Sequence, residues 1–334
     1  MLNIQANNVT INADNATVNA NNVISNVYIY TFSHNTCVSN DYNGTLNAIS
    51  ISKIKFYSIL MNILKTKNIL VATVALCTAT FMSSCQIDAI QTLPERSWEL
   101  TWSDDFTGTA GTLPDATKWA FDLGAGGWGN AEFQTYTNNP NNVSLDGNGN
   151  LRITAIRNAG PTYTSGRIKT KGLFAQKYGR FEARIKTPTG PGIWPAFWML
   201  GENIDQVNWP NCGEIDIMEQ RGQQSAVTVG TVHGPGYSGG SAISKYYGLQ
   251  NSRFDANFHI YAVEWTENQI NFFVDDFLYH RVTPDKVTGN WVFNQPFFLI
   301  LNIAVGGNFV GFPTDATPFP QTMTVDYVKA YKQK

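Results

Sequence analysis

Three carboxylates fall within six residues at Glu214, Asp216 and Glu219, in the run Gly213-Glu214-Ile215-Asp216-Ile217-Met218-Glu219-Gln220. Interleaved with Ile and Met, the run reads as a buried strand. Its two-residue period sends Glu214 and Asp216 to one face and leaves Ile215 and Ile217 for a core. Glu219 breaks that alternation, and a β-bulge near Met218 would return it to the carboxylate face. Buried carboxylates are costly unless paired or hydrogen-bonded, so three along one strand need a purpose. Glycosidic bond cleavage supplies one. Retaining glycosidases set two carboxyl groups about 5–5.5 Å apart, one as nucleophile and one as proton donor. On a straight strand the Cα atoms of Glu214 and Glu219 would lie roughly 16 Å apart, so a bulge and two long side chains must close the gap. Asp216, between them, is suited to hydrogen-bond one Glu and help set its protonation. The competing uses of such a run are a calcium site or a row of solvated edge-strand charges.

Aromatic residues accompany the carboxylates. Trp194 and Trp198, in Gly192-Ile193-Trp194-Pro195-Ala196-Phe197-Trp198-Met199-Leu200, share a side if that segment is extended. Beside a triple-carboxylate strand they read as platforms for sugar rings, although indoles also fill cores. His233 follows at the next strand-to-loop junction, where it can meet a sugar hydroxyl, steady Glu219, or serve only as a satisfied structural histidine. Gly124-Ala125-Gly126-Gly127-Trp128-Gly129 fits G-x-G-x-x-G, yet no βαβ pattern surrounds it, which excludes the dinucleotide reading. The loop with Trp128, Asn130 and Glu132 reads instead as part of a sugar-binding cleft. Cys212 has no nearby histidine in sequence and reads as a small buried hydrophobe.

The elements that must position these groups lie in the later part of the 334-residue chain. All nine Trp fall at Trp98 or beyond, whereas residues 1–50 hold thirteen Asn and no Lys, Arg or Glu. Residues 1–60 are expected to be disordered or no part of the mature protein, despite a polar/apolar pattern at Asn7-Asn8-Val9-Thr10-Ile11-Asn12. A basic start at Met61 leads into an apolar run, Ile69–Met82, and then Ser83-Ser84-Cys85. That is the form of a signal peptide over residues 61–85, of the lipoprotein type if Cys85 is the lipidated residue, and it implies an exported, secreted or lipid-anchored protein. Residues 86–96 read as a linker and 97–334 as one domain. Within it, strands are expected at Ser97–Phe106, on either side of the Asp146–Gly149 turn, and at Ser165–Lys171, Gly179–Thr187, Thr228–His233, His259–Thr266, Gln269–Val274, Phe297–Val305 and Thr322–Lys332. Many strands joined by Gly, Pro and Asn turns indicate an all-β protein of two packed antiparallel sheets. A formal net charge of −2 with 13% aromatic residues argues against nucleic acid and suits a neutral polymer. The chain is expected to act as a monomer.

Gly213–Gln220 resembles the Glu-x-Asp-x-x-Glu signature of glycoside hydrolase family 16 in its bulged form. Tyr178–Arg184, Trp194–Leu200, Leu301–Asn308 and Val325–Val328 are similar to stretches of its laminarinase branch, the endo-1,3-β-glucanases. The resemblance runs from about Ser97 to Lys332. It implies a β-jelly-roll sandwich of two curved antiparallel sheets with an open cleft, Glu214 as nucleophile, Glu219 as acid/base and Asp216 between them. It also implies glucan contacts at Asn130, Trp194, Trp198 and His233. No cofactor is expected for the chemistry, and Asp326 resembles a carboxylate that helps hold a structural Ca²⁺. The expected substrate is a laminarin-like β-1,3-glucan. Near the carboxylates only Arg221 offers a cation for the sulfates of a sulfated galactan. Mixed-linkage glucan or agar is the alternative on the same fold. A non-catalytic carbohydrate-binding sandwich would explain the Trp residues but has no need of the paired Glu.

Overall fold

The computed structural model describes residues 4–6, 9–12, 17–20 and 96–334. The chain divides into two units, Met1–Cys85 and Gln86–Lys334. In the first, β1 (Ile4–Ala6), β2 (Val9–Asn12) and β3 (Thr17–Ala20) form an antiparallel sheet in that order. The expectations of a signal peptide, a lipidated Cys85 and a linker fall almost wholly on residues outside those described.

The second unit carries the remaining strands. They begin with β4 (Trp98–Asp104), β5 (Ala120–Phe121), β6 (Gln134–Tyr136), β7 (Val143–Leu145), β8 (Leu151–Arg157), β9 (Tyr163–Ser165), β10 (Arg167–Lys169) and β11 (Gly179–Lys186). There follow β12 (Ile193–Gly201), β13 (Glu214–Glu219), β14 (Val227–His233), β15 (Ile243–Gly248), β16 (His259–Thr266), β17 (Gln269–Val274), β18 (Phe277–Val282), β19 (Phe297–Val305) and β20 (Gln321–Gln333). No α-helix occurs among the described residues. One sheet runs β15-β14-β13-β12-β19-β10-β5 and the other β18-β17-β16-β11-β20-β8-β9-β6, with β4 on β20 and β7 on β8. The core between them takes Phe197, Met199, Ile215 and Ile217 from the first sheet. It takes Phe181, Ile185, Val263, Trp265 and Phe272 from the second. Each such side chain contributes roughly 1.5–3 kcal/mol by leaving water.

Alternation in sequence located most of these strands. β19 is buried along its whole length, as a central strand covered on both faces must be. β15 and β18 are absent from the strands expected above. β15, Ile-Ser-Lys-Tyr-Tyr-Gly, is an edge strand with little apolar content. β18 closes a hairpin with β17 through Asp275 and Asp276, whose φ values of 48° and 64° form the left-handed turn usually marked by glycine. Without that glycine the hairpin carries no short-range signal.

Candidate active site

β13 lies between β12 and β14. Opposite β12, Met218 pairs with Phe197 and Asp216 with Trp198, so Ile217 is the extra residue. Opposite β14, Asp216 pairs with Thr231 and Glu219 with Val229, which leaves Gly230 alone against Ile217 and Met218. This is the expected bulge. Both Ile217 and Met218 enter the core, and Glu214, Asp216 and Glu219 all line one groove. Gly230 is the only residue type that fits opposite, because a Cβ there would lie 2.4 Å from Tyr279 Oη and 2.6 Å from Phe272 Cδ1.

The groove encloses about 700 Å³ and is lined also by Trp128, Asn130, Glu132, Trp194, Trp198 and His233. Every substrate-binding position expected from sequence therefore reaches it, though several do different work there. Trp194, on β12, donates its indole N–H to Glu219 Oε1 at 3.0 Å. Trp198 donates to Asn302 Oδ1 at 2.7 Å, and the Arg167 guanidinium lies over its ring at 4.8 Å. Arg167 lies at the same distance over Trp128 and is neutralised by Asp122 at 2.8 Å. One face of each of those indoles is thus taken by an arginine. Asn130 donates to Glu132, which also accepts from Gln134 and Tyr136. His233 sits beside Asp216 rather than Glu219. Its Nε2 is 3.1 Å from Asp216 Oδ2 and 3.7 Å from Glu214 Oε1. The main-chain N–H of Gly239 donates to Nδ1, which leaves the ring proton of a neutral His233 on Nε2, toward the carboxylates.

Burial dominates the electrostatics. It raises the Glu214 carboxyl to about 8, with Asp216 adding to the rise and His233 and the Trp209 N–H opposing it. Burial likewise raises Glu219 to about 7, against the pull of His233, the Trp194 N–H and Arg221 and with a push from Glu214. Asp216 rises well above the usual carboxylate range through burial and the nearby Glu219. Each of the three carboxyls therefore binds a proton more tightly than an exposed carboxylate does. Glu214, Asp216 and His233 are also the one group among the described residues whose ligand atoms converge within 4.8 Å. Their raised proton affinities oppose use of that convergence for a metal, since ligands must be deprotonated.

Sequence reasoning missed Trp209, Arg167, Asn302 and Phe309 as groove residues. Trp209, in the loop before β13, donates its indole N–H to Glu214 Oε2 at 2.8 Å. An isolated Trp in an Asn/Pro loop was the one available signal. Trp209→Phe is expected to fold normally, because the ring is 44% exposed. It should lower kcat/KM about tenfold, the effect of losing a hydrogen bond of roughly 1.5 kcal/mol to a charged group. A steady-state assay beside a melting curve measures both.

Asp326, on β20, accepts from Arg184 Nη1 at 2.5 Å. Among the described residues it joins no cluster of metal-ligating side chains. Ca²⁺ takes six to eight oxygens, so an ion held by Asp326 would need the others from main-chain carbonyls and water. Cys212 is buried as expected, and burial raises its thiol to about 11.

Residues 130–329 match the family model described as glycosyl hydrolases family 16. The chain belongs to glycosyl hydrolases family 16. The two packed sheets, antiparallel except for the parallel β6–β9 pair where all-antiparallel sheets were expected, are this family's jelly roll. Among its relatives, a beta-glucanase of Rhodothermus marinus is 42% identical over 246 residues, covering 70% of this chain and 85% of that one. Glucan endo-1,3-beta-glucosidase A1 of Niallia circulans is 39% identical over 266 residues, which span 70% of this chain and 38% of the relative. The laminarinase catalytic domain of Thermotoga maritima superposes with a TM-score of 0.68 at 44% identity, covering 71% of this chain and 99% of that structure.

Proposed function

We propose that this family 16 protein is a retaining, endo-acting O-glycosyl hydrolase that cleaves internal β-1,3-glucosidic bonds of laminarin-like glucans. The observation that carries the reading is the bulge in β13, which aims Glu214, Asp216 and Glu219 into a groove with indole N–H groups on both Glu carboxyls. The names of the Rhodothermus, Niallia and Thermotoga relatives support the choice of glucan.

The mechanism is a double displacement. Glu219 is the acid/base, and its buried carboxyl holds the proton it must give to the glycosidic oxygen. Glu214 is the nucleophile and must be ionised to attack the anomeric carbon. In the coupled pair the shared proton rests on Asp216, which is hydrogen-bonded to Glu214 and whose proton affinity is raised, so that Glu214 reacts as its carboxylate. The Trp209 N–H and His233 steady the resulting carboxylate. Water, deprotonated by Glu219, then opens the glycosyl-enzyme and restores the β configuration. Asn130, Trp128, Trp194, Trp198 and His233 form the surface on which the glucan lies.

Glu214, Asp216, Glu219 and the indoles dominate the groove, which suits a neutral polymer better than an anionic one, and among the described residues Arg221 is its one arginine outside an ion pair. Products from laminarin, lichenan, agarose and κ-carrageenan test the substrate. A ladder of 1,3-linked oligosaccharides from laminarin is expected. Neoagaro-oligosaccharides with laminarin untouched would move the protein to the galactan branch, and binding without new reducing ends would make it a non-catalytic module.

Export belongs to the same proposal. Deleting residues 61–84 is expected to retain the protein in the cytoplasm, and Cys85→Ser to release it from the membrane fraction. A mass spectrum of the mature N-terminus away from Cys85 would remove lipidation. A Ca²⁺ ion at Asp326 would displace Arg184 and draw its other oxygens from main-chain carbonyls and water. A rise in unfolding temperature with Ca²⁺ that Asp326→Asn abolishes would support it, and identical temperatures in Ca²⁺ and EDTA would remove it.

A further inference from the structure

Arg221 follows Glu219 by two residues and lines the same groove. Among the described residues it makes no ion pair, unlike Arg167, which is held by Asp122 at 2.8 Å. Its Nε is buried without a hydrogen-bond partner. Its guanidinium is seated on an aromatic ring, with Cζ 4.4 Å from the centroid of Phe309. Phe309 packs in turn on Trp194, ring centroids 5.1 Å apart, and Trp194 donates to Glu219 Oε1 at 3.0 Å. Charge, phenyl and indole form one continuous packing that ends on the acid/base carboxyl.

The loop after β19 holds this packing in place. Asn308 N–H donates to Asn130 O at 2.8 Å, Gly306 N–H donates to Gly192 O at 2.7 Å, and Gln223 Nε2 donates to Val310 O at 2.7 Å. Phe309 is therefore clamped from three segments of chain, and Arg221 is stacked on a fixed surface. A cation held this way keeps its charge in the groove and has no carboxylate to spend it on.

We infer that Arg221, seated on Phe309, is a positioning residue for the acid/base. By this inference it fixes the electrostatic field in which Glu219 gives up and regains its proton. The inference rests on the proposed role of Glu219. The groups that face Glu219 are Glu214 and Asp216 on β13, His233 on β14, the Trp194 N–H on β12 and Tyr279 on β18. Within this set Arg221 is the only permanent cation, and it pulls the Glu219 carboxyl down against burial. Its sense is opposite to that of Glu214. An opposite charge nearby favours the ionised carboxylate, which Glu219 must become once the leaving group departs. Arg221 thus joins His233 and the Trp194 N–H in keeping the proton transferable where burial alone would lock it on.

The test is the pH profile of kcat/KM on laminarin for the full chain and for Arg221→Gln, Arg221→Lys and Phe309→Leu. The alkaline limb reports the proton that the free enzyme must hold. Removing the cation raises Glu219, so the limb in Arg221→Gln is expected to move to higher pH by about one unit, the size of a nearby-charge effect. Arg221→Lys keeps the charge and is expected to keep most of the wild-type limb. Phe309→Leu leaves the charge but loosens its seat, and should move the limb the same way by less. Circular dichroism and melting curves confirm that each variant is folded. An Arg221→Gln limb that stays in place, even with a slower plateau, overturns the proposal, as does a Lys variant that behaves like Gln. If the wild-type protein releases no reducing ends from laminarin, the reading of the whole site fails first, so the two failures are distinguishable.

Discussion

Glu214→Gln and Glu219→Gln are each expected to lose on the order of a thousandfold or more in kcat/KM on laminarin while unfolding at a higher temperature than the wild type above pH 8. Glu214 forms the covalent intermediate, and an amide cannot attack the anomeric carbon. Glu219 supplies the proton, which an amide cannot give. The stability change follows from the same burial. Folding raises these carboxyls to about 8 and about 7, so the native state binds protons that the unfolded chain releases at ordinary carboxylate values. Stability is then full below the unfolded value and is lost as pH rises through the folded one. Gln does not titrate and escapes that loss. The two variants are told apart by azide, which should partly rescue Glu214→Ala and yield a glycosyl azide of inverted configuration. Two Gln variants that keep near wild-type rates on every glucan tried would remove both assignments. Variants that are inactive and less stable at alkaline pH would remove the account of burial.

Gly230→Val is expected to cost roughly 3 kcal/mol of stability, at the upper end of what overpacking does, with most of the turnover lost in whatever remains folded. Gly230 stands opposite the two residues of the bulge, where β14 approaches β18. Even a Cβ would come within 2.4 Å of Tyr279 Oη and 2.6 Å of a Phe272 ring carbon, both buried in the core. Neither ring can retreat, so β14 must move, and β13 moves with it through the paired ladder. An ångström of displacement at a reacting group can cost on the order of a hundredfold in rate. Thermal unfolding and kcat measured on the same preparation check the two parts. Gly230→Ala should show a smaller loss of the same kind. A Val variant with wild-type melting temperature and rate would show that the bulge does not depend on this close approach.

Much of the molecule follows from sequence alone because its decisive signals are local. The alternation in β8 and β11, and the bounded apolar runs of β16, β17 and β19, give strands close to the bounds seen in the structure. Glu214, Asp216 and Glu219 declare themselves within six residues, and even the bulge is readable, because Glu219 is out of phase with Asp216 by one residue. The Glu-x-Asp-x-x-Glu pattern and its neighbours were sufficient to point to family 16. The edge strand β15 and the hairpin of β17 with β18 were not readable. The first has too little apolar surface to show a period, and the second turns on Asp275-Asp276 in place of glycine.

Which groups surround the carboxylates is set by packing between segments distant in the chain. Trp194 reads in sequence as a sugar platform, yet its indole N–H is 3.0 Å from Glu219 because the β12–β13 register sets Ala196 opposite Glu219, two residues from Trp194. Arg167 comes from β10, two strands away from β12, and reaches Trp198 only because β19 lies between them in the sheet. Phe309 meets Arg221 across 88 residues of chain, the difference of their numbers. Trp209, from the loop before β13, and His233, at the end of β14, converge on Glu214. The proton affinities follow the same rule. Desolvation is a property of everything packed around a group, most of it distant in sequence, so the chain order names the carboxyls and the fold decides which of them keep a proton.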